Sequence, residues 1–435
     1  MKKLSCFILF FIVNLCVAFA SDYDSSYTFG IYGFVRNDMT FDTHRSLGAV
    51  NELFYFLPFD RQLDAEGNDL NEVNQLKFLG ITTRLGMNFD SPLYSHGFRL
   101  SANFEADFCG AASPAIACFR LRRANVVFDW ERKYNNDNVM HHKLMVGQAF
   151  HPMTSELLPD IVSLNTGCPF NPFSRAPQIR YTANFTSVRL TAAAVWQFQY
   201  TTPGPQGNSN QYQFDNAVPE AYLGAEYHIP HFKIGAGAEY MAVRPRVSTE
   251  IDGNVYRVSE HVHSFAAQLY LDAGNANWDF RMKSVVGQNL GHLLMMSGYG
   301  VSGIAHDGRS LLYAPLLQSA SWFTLTYHTN NIRHNVYATV LGGYIKNFGA
   351  GTEVSRLYTR GPENLDQMFR TSASLQYRFR ELNVGAEYEY TGVLYGDVHP
   401  DATVTNTHLV NNHRLYLIVM YNFSFDWKIQ KNKSI

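Results

Sequence analysis

Apolar and polar residues alternate along most of this chain, in segments of about ten residues. The clearest segment is 382–391, and its first face carries Leu382, Val384, Ala386, Tyr388 and Tyr390. The other face carries Asn383, Gly385, Glu387, Glu389 and Thr391. A period of two is typical of a β-strand whose two faces meet different surroundings.

The segment 369–380 repeats this pattern with a strongly polar second face. One face carries Phe369, Ala373, Leu375, Tyr377 and Phe379, and the other carries Arg370, Ser372, Ser374, Gln376, Arg378 and Arg380. Such alternation is typical of a transmembrane barrel, in which the apolar face contacts lipid and the polar face lines the interior. We therefore expect the polar faces of both segments to point inward.

The same pattern predicts about sixteen strands. They lie near 27–37, 76–90, 97–108, 118–131, 140–150, 176–184, 188–200, 218–228, 232–244, 259–273, 277–288, 320–328, 332–346, 368–380, 382–392 and 410–425. Long and short connectors alternate between them, so every second hairpin is tight. Ten tilted residues climb roughly 23 Å, close to the apolar band of outer-membrane barrels. The fold class is therefore all-β, a transmembrane antiparallel β-barrel.

The two ends of the chain suggest export and assembly into an outer membrane. Lys2 and Lys3 precede an apolar run, and Ala18-Phe19-Ala20 resembles a cleavage site, so residues 1–20 are interpreted as a signal peptide. No apolar run of eighteen residues follows, which excludes a transmembrane helix. We expect the barrel over 21–425 and a short periplasmic tail over 426–435. The apolar face that ends on Phe425 looks like the assembly signal of Gram-negative outer-membrane proteins. We therefore expect a multi-pass protein in the outer membrane of a Gram-negative bacterium.

Charge and cysteine content narrow the picture further. The formal net charge is −2, and no basic stretch or nucleotide motif indicates a nucleic-acid partner. Cys109 and Cys118 flank one hairpin connector, and in an oxidising compartment we expect these two to form a disulfide. Cys168 is then left as a free thiol inside a packed loop.

A barrel of about sixteen strands leaves a water-filled lumen, so its selectivity depends on the inward side chains. Strand phase aims a set of bases inward: Arg84, Arg99, Arg123, Lys143, Arg180, Arg189, Arg281 and Lys283. It also aims acids inward: Glu105, Asp107, Asp129, Glu226, Glu239, Glu387 and Glu389. Two interpretations stay open. Either the acids neutralise the bases in a solvated lattice, or a transverse field draws small anions along a basic wall.

The connector 151–174 differs from the other long loops. It carries Leu157, Leu158, Ile161, Val162, Leu164, Phe170 and Phe173, which favour burial. We expect this loop to fold into the barrel and narrow the pore at mid-height, with Glu156 and Asp160 facing the basic wall. Arg84 and Arg180 are the best candidates for the narrowest point, with Arg123 a third.

Several short motifs resemble the DcaP-like outer-membrane porins. They are Thr83-Arg84-Leu85-Gly86, Glu105-Ala106-Asp107-Phe108, Leu121-Arg122-Arg123-Ala124, Val146-Gly147-Gln148 and Arg175-Ala176-Pro177-Gln178-Ile179-Arg180-Tyr181. The resemblance implies a sixteen-stranded homotrimer that admits small hydrophilic solutes, in some members preferring negatively charged ones. Phosphate-selective porins are a neighbouring possibility that would carry more arginines.

The predicted function is passive diffusion of small hydrophilic solutes through an outer-membrane porin that favours anions. The alternatives are a barrel enzyme and a non-conducting surface adhesin. His261 and His263 share a strand face and His141-His142 begin another strand, but neither pair has a serine, acid or third ligand at a suitable spacing. We therefore expect no catalytic residues, metal or cofactor, and partners limited to lipid, solute and further copies of the chain.

Overall fold

The computed structural model describes residues 26–94, 97–113, 116–133, 139–329, 331 and 334–430. The predicted signal peptide and residues 431–435 lie outside this part of the chain. Among the residues described, none of the helices has the length and apolar character needed to cross a membrane.

The described residues form a closed antiparallel barrel of sixteen strands, as the sequence predicts. The strands are β1 (Ser26–Asp42), β2 (Gln75–Leu79 with Arg84–Asp90), β3 (Arg99–Ser113), β4 (Ile116–Lys133), β5 (Val139–Phe150), β6 (Arg175–Asn184), β7 (Val188–Val195), β8 (Glu220–Ile229), β9 (Phe232–Val243), β10 (Val262–Gly274), β11 (Trp278–Gln288), β12 (Leu317–His328), β13 (His334–Asn347), β14 (Leu365–Phe379), β15 (Leu382–Val398) and β16 (Val404–Gln430). Each strand pairs with its neighbour, and β1 closes the barrel on β16.

The last strand extends beyond its predicted end. It was expected to stop at residue 425 and be followed by a tail, but β16 continues to Gln430 and pairs with β1 from Ser26↔Gln430 to Asp42↔Arg414. Residues 426–430 therefore belong to the barrel, because β1 offers unpaired backbone groups along its whole length. Trp427 and Ile429 continue the outward apolar face.

The two faces of the strands follow the predicted phase. On β14, Arg370, Ser372, Ser374 and Gln376 are buried, whereas Leu375 and Tyr377 are exposed on the outer surface. On β15, the buried set includes Asn383, Glu387 and Glu389, and Val384 and Tyr388 are exposed. The alternation in sequence thus separates an apolar outer surface from a polar inner surface.

Three connectors at the long-loop end fold into the barrel. They are the segment 151–174 with helix α1 (Pro152–Ser155), the hairpin formed by Ser46–Ala49 and Phe54–Pro58, and the segment 289–297 with the 3-10 helix Leu290–Leu293. Their apolar side chains pack against the inner wall in one cluster that includes Phe56, Leu57, Met153, Phe170, Phe173, Leu293, Met296, Trp322, Met368 and Tyr395. The inward course of 151–174 was predicted. The other two inward segments were not.

The remaining elements lie at the long-loop end, outside the barrel strands. They are helix α2 (Gln211–Phe214), the hairpin Ser248–Ile251 with Asn254–Arg257, and the three-stranded sheet of Gly298–Ile304, Leu311–Pro315 and Leu357–Thr359.

The predicted disulfide is not formed. Cys109 and Cys118 are both free thiols, as is the buried Cys168. Register shifts in the β3–β4 ladder place Cys118 opposite Gly110, and the Cys109 thiol instead donates to the carbonyl oxygen of Ile81 at 3.3 Å. The two cysteines are therefore not directly opposite each other, although the disulfide prediction assumed that they were.

Candidate constriction site

The inward segment 151–174 is fixed to the opposite wall by hydrogen bonds that only a folded barrel can bring together. Glu387 of β15 accepts the backbone N–H groups of Val162 at 2.7 Å and Ser163 at 3.1 Å. The Trp322 indole N–H of β12 donates to the Asn171 side-chain oxygen at 3.0 Å. The loop thus has a defined position across the interior, because its buried backbone groups find partners on the wall.

The acidic part of this loop meets a base of β7, on the wall that the sequence analysis called basic. The Arg189 guanidinium of β7 contacts the Glu156 carboxylate, and it also pairs with Glu226 of β8 at 2.7 Å. Glu156 is nearly buried, but 29% of the Arg189 side chain is exposed. One face of Arg189 therefore remains available to solvent inside the barrel.

Arg180, a predicted residue of the narrowest point, lies at the base of the same loop. It points inward from β6, because its neighbours Ile179 and Tyr181 are exposed on the outer surface. Its guanidinium donates to the Gln178 side-chain oxygen at 2.9 Å and to the Ser155 hydroxyl at 3.1 Å. No carboxylate pairs with Arg180 among the described residues, so its charge is only locally hydrogen-bonded.

Arg84 also faces the interior, from β2. Its nearest carboxylate oxygen, on Glu105, is 3.7 Å from the guanidinium Nε, and the guanidinium carbon lies 4.8 Å from the centre of the Phe34 ring. The side chain is 21% exposed. Arg84 is thus stacked on an aromatic ring and only loosely paired with a carboxylate.

A bulge in the β3–β4 ladder changes which arginines of β4 face inward. Arg122 is nearly buried and pairs with Glu105 and Asp107, both at 2.7 Å, and Arg120 pairs with Asp107 at 2.8 Å. The sequence analysis assumed strict alternation along β4 and chose Arg123, so it missed both residues. A bulge adds one residue to a strand and changes which side chains face inward. Arg123 is half-buried and lies within electrostatic range of Glu105 and Arg180.

The other predicted lining residues are not at the constriction. Arg99 is exposed opposite Asp129, and Lys143 is 51% exposed with its ammonium 3.5 Å from Asp129, so both lie towards the short-turn end. Lys283 is fully buried and donates to the Met153 carbonyl oxygen at 2.8 Å, which makes it an anchor of the loop. Arg281 pairs with Asp272 at 3.4 Å. Asp160 is half-buried and forms no ion pair within the described residues.

The inward bases differ in exposure, and most of those that stay partly exposed lie on β2 to β7, although Arg122 of β4 is nearly buried and Arg281 of β11 is 29% exposed. Arg84, Arg120 and Arg189 keep 21%, 20% and 29% of their side chains exposed. Elsewhere on the inner surface, Lys283 is completely buried, and Arg370 and Arg414 are 1% exposed beneath the inward segments. The solvated side of the interior therefore runs along β2 to β7, where the bases are concentrated.

Solved structures with this architecture are known. The outer-membrane channel DcaP of Acinetobacter baumannii aligns over 93% of this chain and 99% of its own, with a TM-score of 0.64 and 16% identity. The chain has the fold of an outer-membrane channel. The resemblance to DcaP-like porins that the motifs suggested is thus confirmed at the level of the fold.

Two further structures agree with that assignment. The trimer form of OmpT from Vibrio cholerae aligns over 91% of this chain and 99% of its own, with a TM-score of 0.52 and 12% identity. An anion-selective porin from Comamonas acidovorans aligns over 91% of this chain and 100% of its own, with a TM-score of 0.51 and 8% identity. No family model and no curated protein sequence matches the chain.

Proposed function

We propose that this protein is an outer-membrane porin through which small hydrophilic solutes diffuse passively. The observation that carries the proposal is the row of partly exposed arginines along β2 to β7, facing an inward loop inside a closed barrel. Such a passage replaces part of a solute's hydration with side-chain contacts, and the solute moves down its own gradient. The protein then needs no cofactor and catalyses no reaction.

The same arrangement supports a preference for anions. Among the described residues, Arg180 forms no ion pair with a carboxylate, and the ion pair of Arg84 with Glu105 is long at 3.7 Å, so the positive charge beside the loop is only partly neutralised. A low-dielectric wall focuses this field into the passage. The acids Glu105, Asp107 and Glu226 pair with Arg120, Arg122 and Arg189, which supports a neutralising lattice for part of the wall and favours Arg84 and Arg180 as the selective residues.

Conductance of the purified protein in planar bilayers under a salt gradient tests this proposal. We expect discrete current steps and a reversal potential of the sign that anion passage gives. A barrel that inserts and folds but never conducts would contradict the porin proposal. It would favour the adhesin or enzyme instead.

The double variant Arg84→Ala with Arg180→Ala tests the selective residues. A charge within a few ångströms of a solvated path changes an ion's energy by about 1 kcal/mol, so two charges change the anion-to-cation permeability ratio by about tenfold or more. The exposed Arg257 of an outer hairpin gives the matched control, because Arg257→Ala removes the same charge far from the constriction. Equal reversal potentials in the double variant and the control would contradict the assignment.

We further propose that the barrel assembles as a homotrimer in the outer membrane of a Gram-negative bacterium. The motif resemblance to a trimeric channel family and the trimer form of a structural relative support this assembly. The expected result is conductance in groups of three equal steps, and a cross-linked species of three chains in detergent. Single steps with a monomeric mass would contradict it.

A further inference from the structure

Two histidines and two glutamates meet in a buried cluster at the long-loop end of the barrel. His151 begins the inward segment 151–174, Glu220 begins β8, Glu239 lies on β9, and His292 belongs to the inward segment 289–297. Their exposed fractions are 1%, 1%, 4% and 2%. Four side chains of metal-binding type, from four separate parts of the chain, are therefore enclosed together.

The ligand atoms of the cluster are spaced as around a small metal ion. His292 Nε2 lies 2.9 Å from Glu239 Oε1 and 3.8 Å from Glu220 Oε1, and His151 Nε2 lies 3.4 Å from Glu220 Oε2. Ligands at tetrahedral angles on a zinc ion, with bonds of about 2.0–2.1 Å, are roughly 3.3 Å apart. These three distances lie within about 0.5 Å of that spacing, and the ligand atoms of His151, Glu220 and Glu239 all lie within 4.8 Å of one another.

The two carboxylates of the cluster pair with histidines and not with a lysine or arginine of the described residues. Within the described residues, no lysine or arginine forms an ion pair with Glu220 or Glu239, whose ion-pair partners are the two histidines. The second carboxylate oxygen of Glu239 and Nε2 of His151 are buried without a hydrogen-bond partner. Two buried carboxylates without a lysine or arginine partner among the described residues are costly in such surroundings. A divalent cation balances their charge.

We propose that Glu220, Glu239, His292 and His151 bind one divalent transition-metal ion of the zinc class. Imidazole nitrogens with carboxylate oxygens form a borderline donor set that suits zinc, whereas Mg²⁺ and Ca²⁺ prefer oxygen ligands alone. The four ligands do not include Arg84 or Arg180, so the metal site does not depend on the porin proposal. It differs from the expectation of no metal site, which was drawn from His141, His142, His261 and His263.

The surroundings orient the ligands. The Gln197 side-chain N–H donates to Glu220 Oε1 at 2.7 Å, which fixes that carboxylate. His151 Nδ1 accepts the Met153 backbone N–H at 3.2 Å, and Nε2 of the same ring lies towards Glu220. A metal ion bound at Nε2 would require the ring proton on Nδ1, at the expense of this one long hydrogen bond. The ion then joins two inward segments to β8 and β9 and holds the constriction in place.

Zinc binding to the refolded full-length protein tests the proposal. After treatment with a chelator and removal of any affinity tag, we expect one Zn²⁺ per chain by elemental analysis and a higher unfolding temperature with Zn²⁺ than without. The variants Glu239→Gln and His292→Gln should weaken Zn²⁺ affinity at least tenfold. The exposed, stacked pair His261 and His263 gives the control, and its double alanine variant should bind zinc as the wild type does.

Co²⁺ replaces Zn²⁺ as a spectroscopic probe of the wild-type protein, so the test does not depend on the variants folding. We expect the intense visible absorption of tetrahedral Co²⁺. Less than one zinc per chain in the wild type, the weak spectrum of hydrated Co²⁺, or undiminished affinity in folded Glu239→Gln would each overturn the site.

Discussion

The Arg370 guanidinium of β14 donates a hydrogen bond of 2.8 Å to the carbonyl oxygen of Cys168 on the inward segment 151–174. A second of its N–H groups donates to the Phe56 carbonyl oxygen at 2.6 Å, and the guanidinium carbon lies 5.2 Å from the centre of the Phe170 ring. One buried arginine therefore connects two inward segments to the wall.

Replacing Arg370 by methionine should destabilise the barrel interior. The variant leaves two buried carbonyl groups without donors and Glu389, 3.5 Å from the guanidinium, without its cation. Loss of one partner from a buried ion pair costs about 3–5 kcal/mol, and we expect the free energy of unfolding in urea to fall by this amount. Arg378→Met on the same strand is the control, since that half-buried side chain has a 3.4 Å hydrogen bond to Gln376 and a contact with the Tyr337 ring, but no ion pair among the described residues. Equal losses in both variants would argue against the role of Arg370.

Replacing Glu387 by alanine should loosen the constriction loop. Two backbone N–H groups, of Val162 and Ser163, lose their acceptor, and each unsatisfied buried group costs about 1–3 kcal/mol. We expect larger and noisier single-channel currents, together with faster proteolysis within 151–174. The exposed Glu381, in the turn before β15, provides the matched control Glu381→Ala. Unchanged current in Glu387→Ala would show that the loop is held by its other contacts alone.

Removing either partner of the Arg189–Glu156 pair should shift the ion selectivity, in opposite directions for the two residues. Glu156→Gln removes a negative charge and releases Arg189, so the preference for anions should rise. Arg189→Ala does the opposite, because Glu156 and Glu226 then remain without their arginine. The reversal potential in a salt gradient measures both. Shifts in the same direction for the two variants would show that shape, not charge, controls the passage.

Cys168 should resist thiol reagents while the barrel is folded. Burial raises the pKa of the Cys168 thiol well above its ordinary value, and the reactive thiolate is therefore scarce at neutral pH. In protein carrying Cys109→Ser and Cys118→Ser, we expect labelling by iodoacetamide only after unfolding. Mass spectrometry measures the added group. Rapid labelling of the folded protein would show that the loop opens readily.

The sequence was sufficient for the strands, their faces and one inward loop. The period of two in β14 and β15 has a single physical cause, a wall with an apolar outer surface and a polar inner surface. This period can be recognised from neighbouring residues of one strand. The apolar run of 151–174 likewise required burial, whatever partners it found. The apolar stretches 54–58 and 289–297 carried the same signal within longer polar connectors, and they could have been recognised by the same argument.

Tertiary structure decided which inward charges remain solvated and which are anchors. Alternation assigns Lys283 and Arg84 to the same inner surface, but the inward segments bury Lys283 completely and leave Arg84 partly exposed. The bulge that brings Arg122 inward depends on how two strands pair, and His151 and His292 meet Glu220 and Glu239 only when the barrel closes. Periodicity is a local property of the chain. Ion pairs and ligand clusters join residues far apart in sequence, so only the closed barrel determines them.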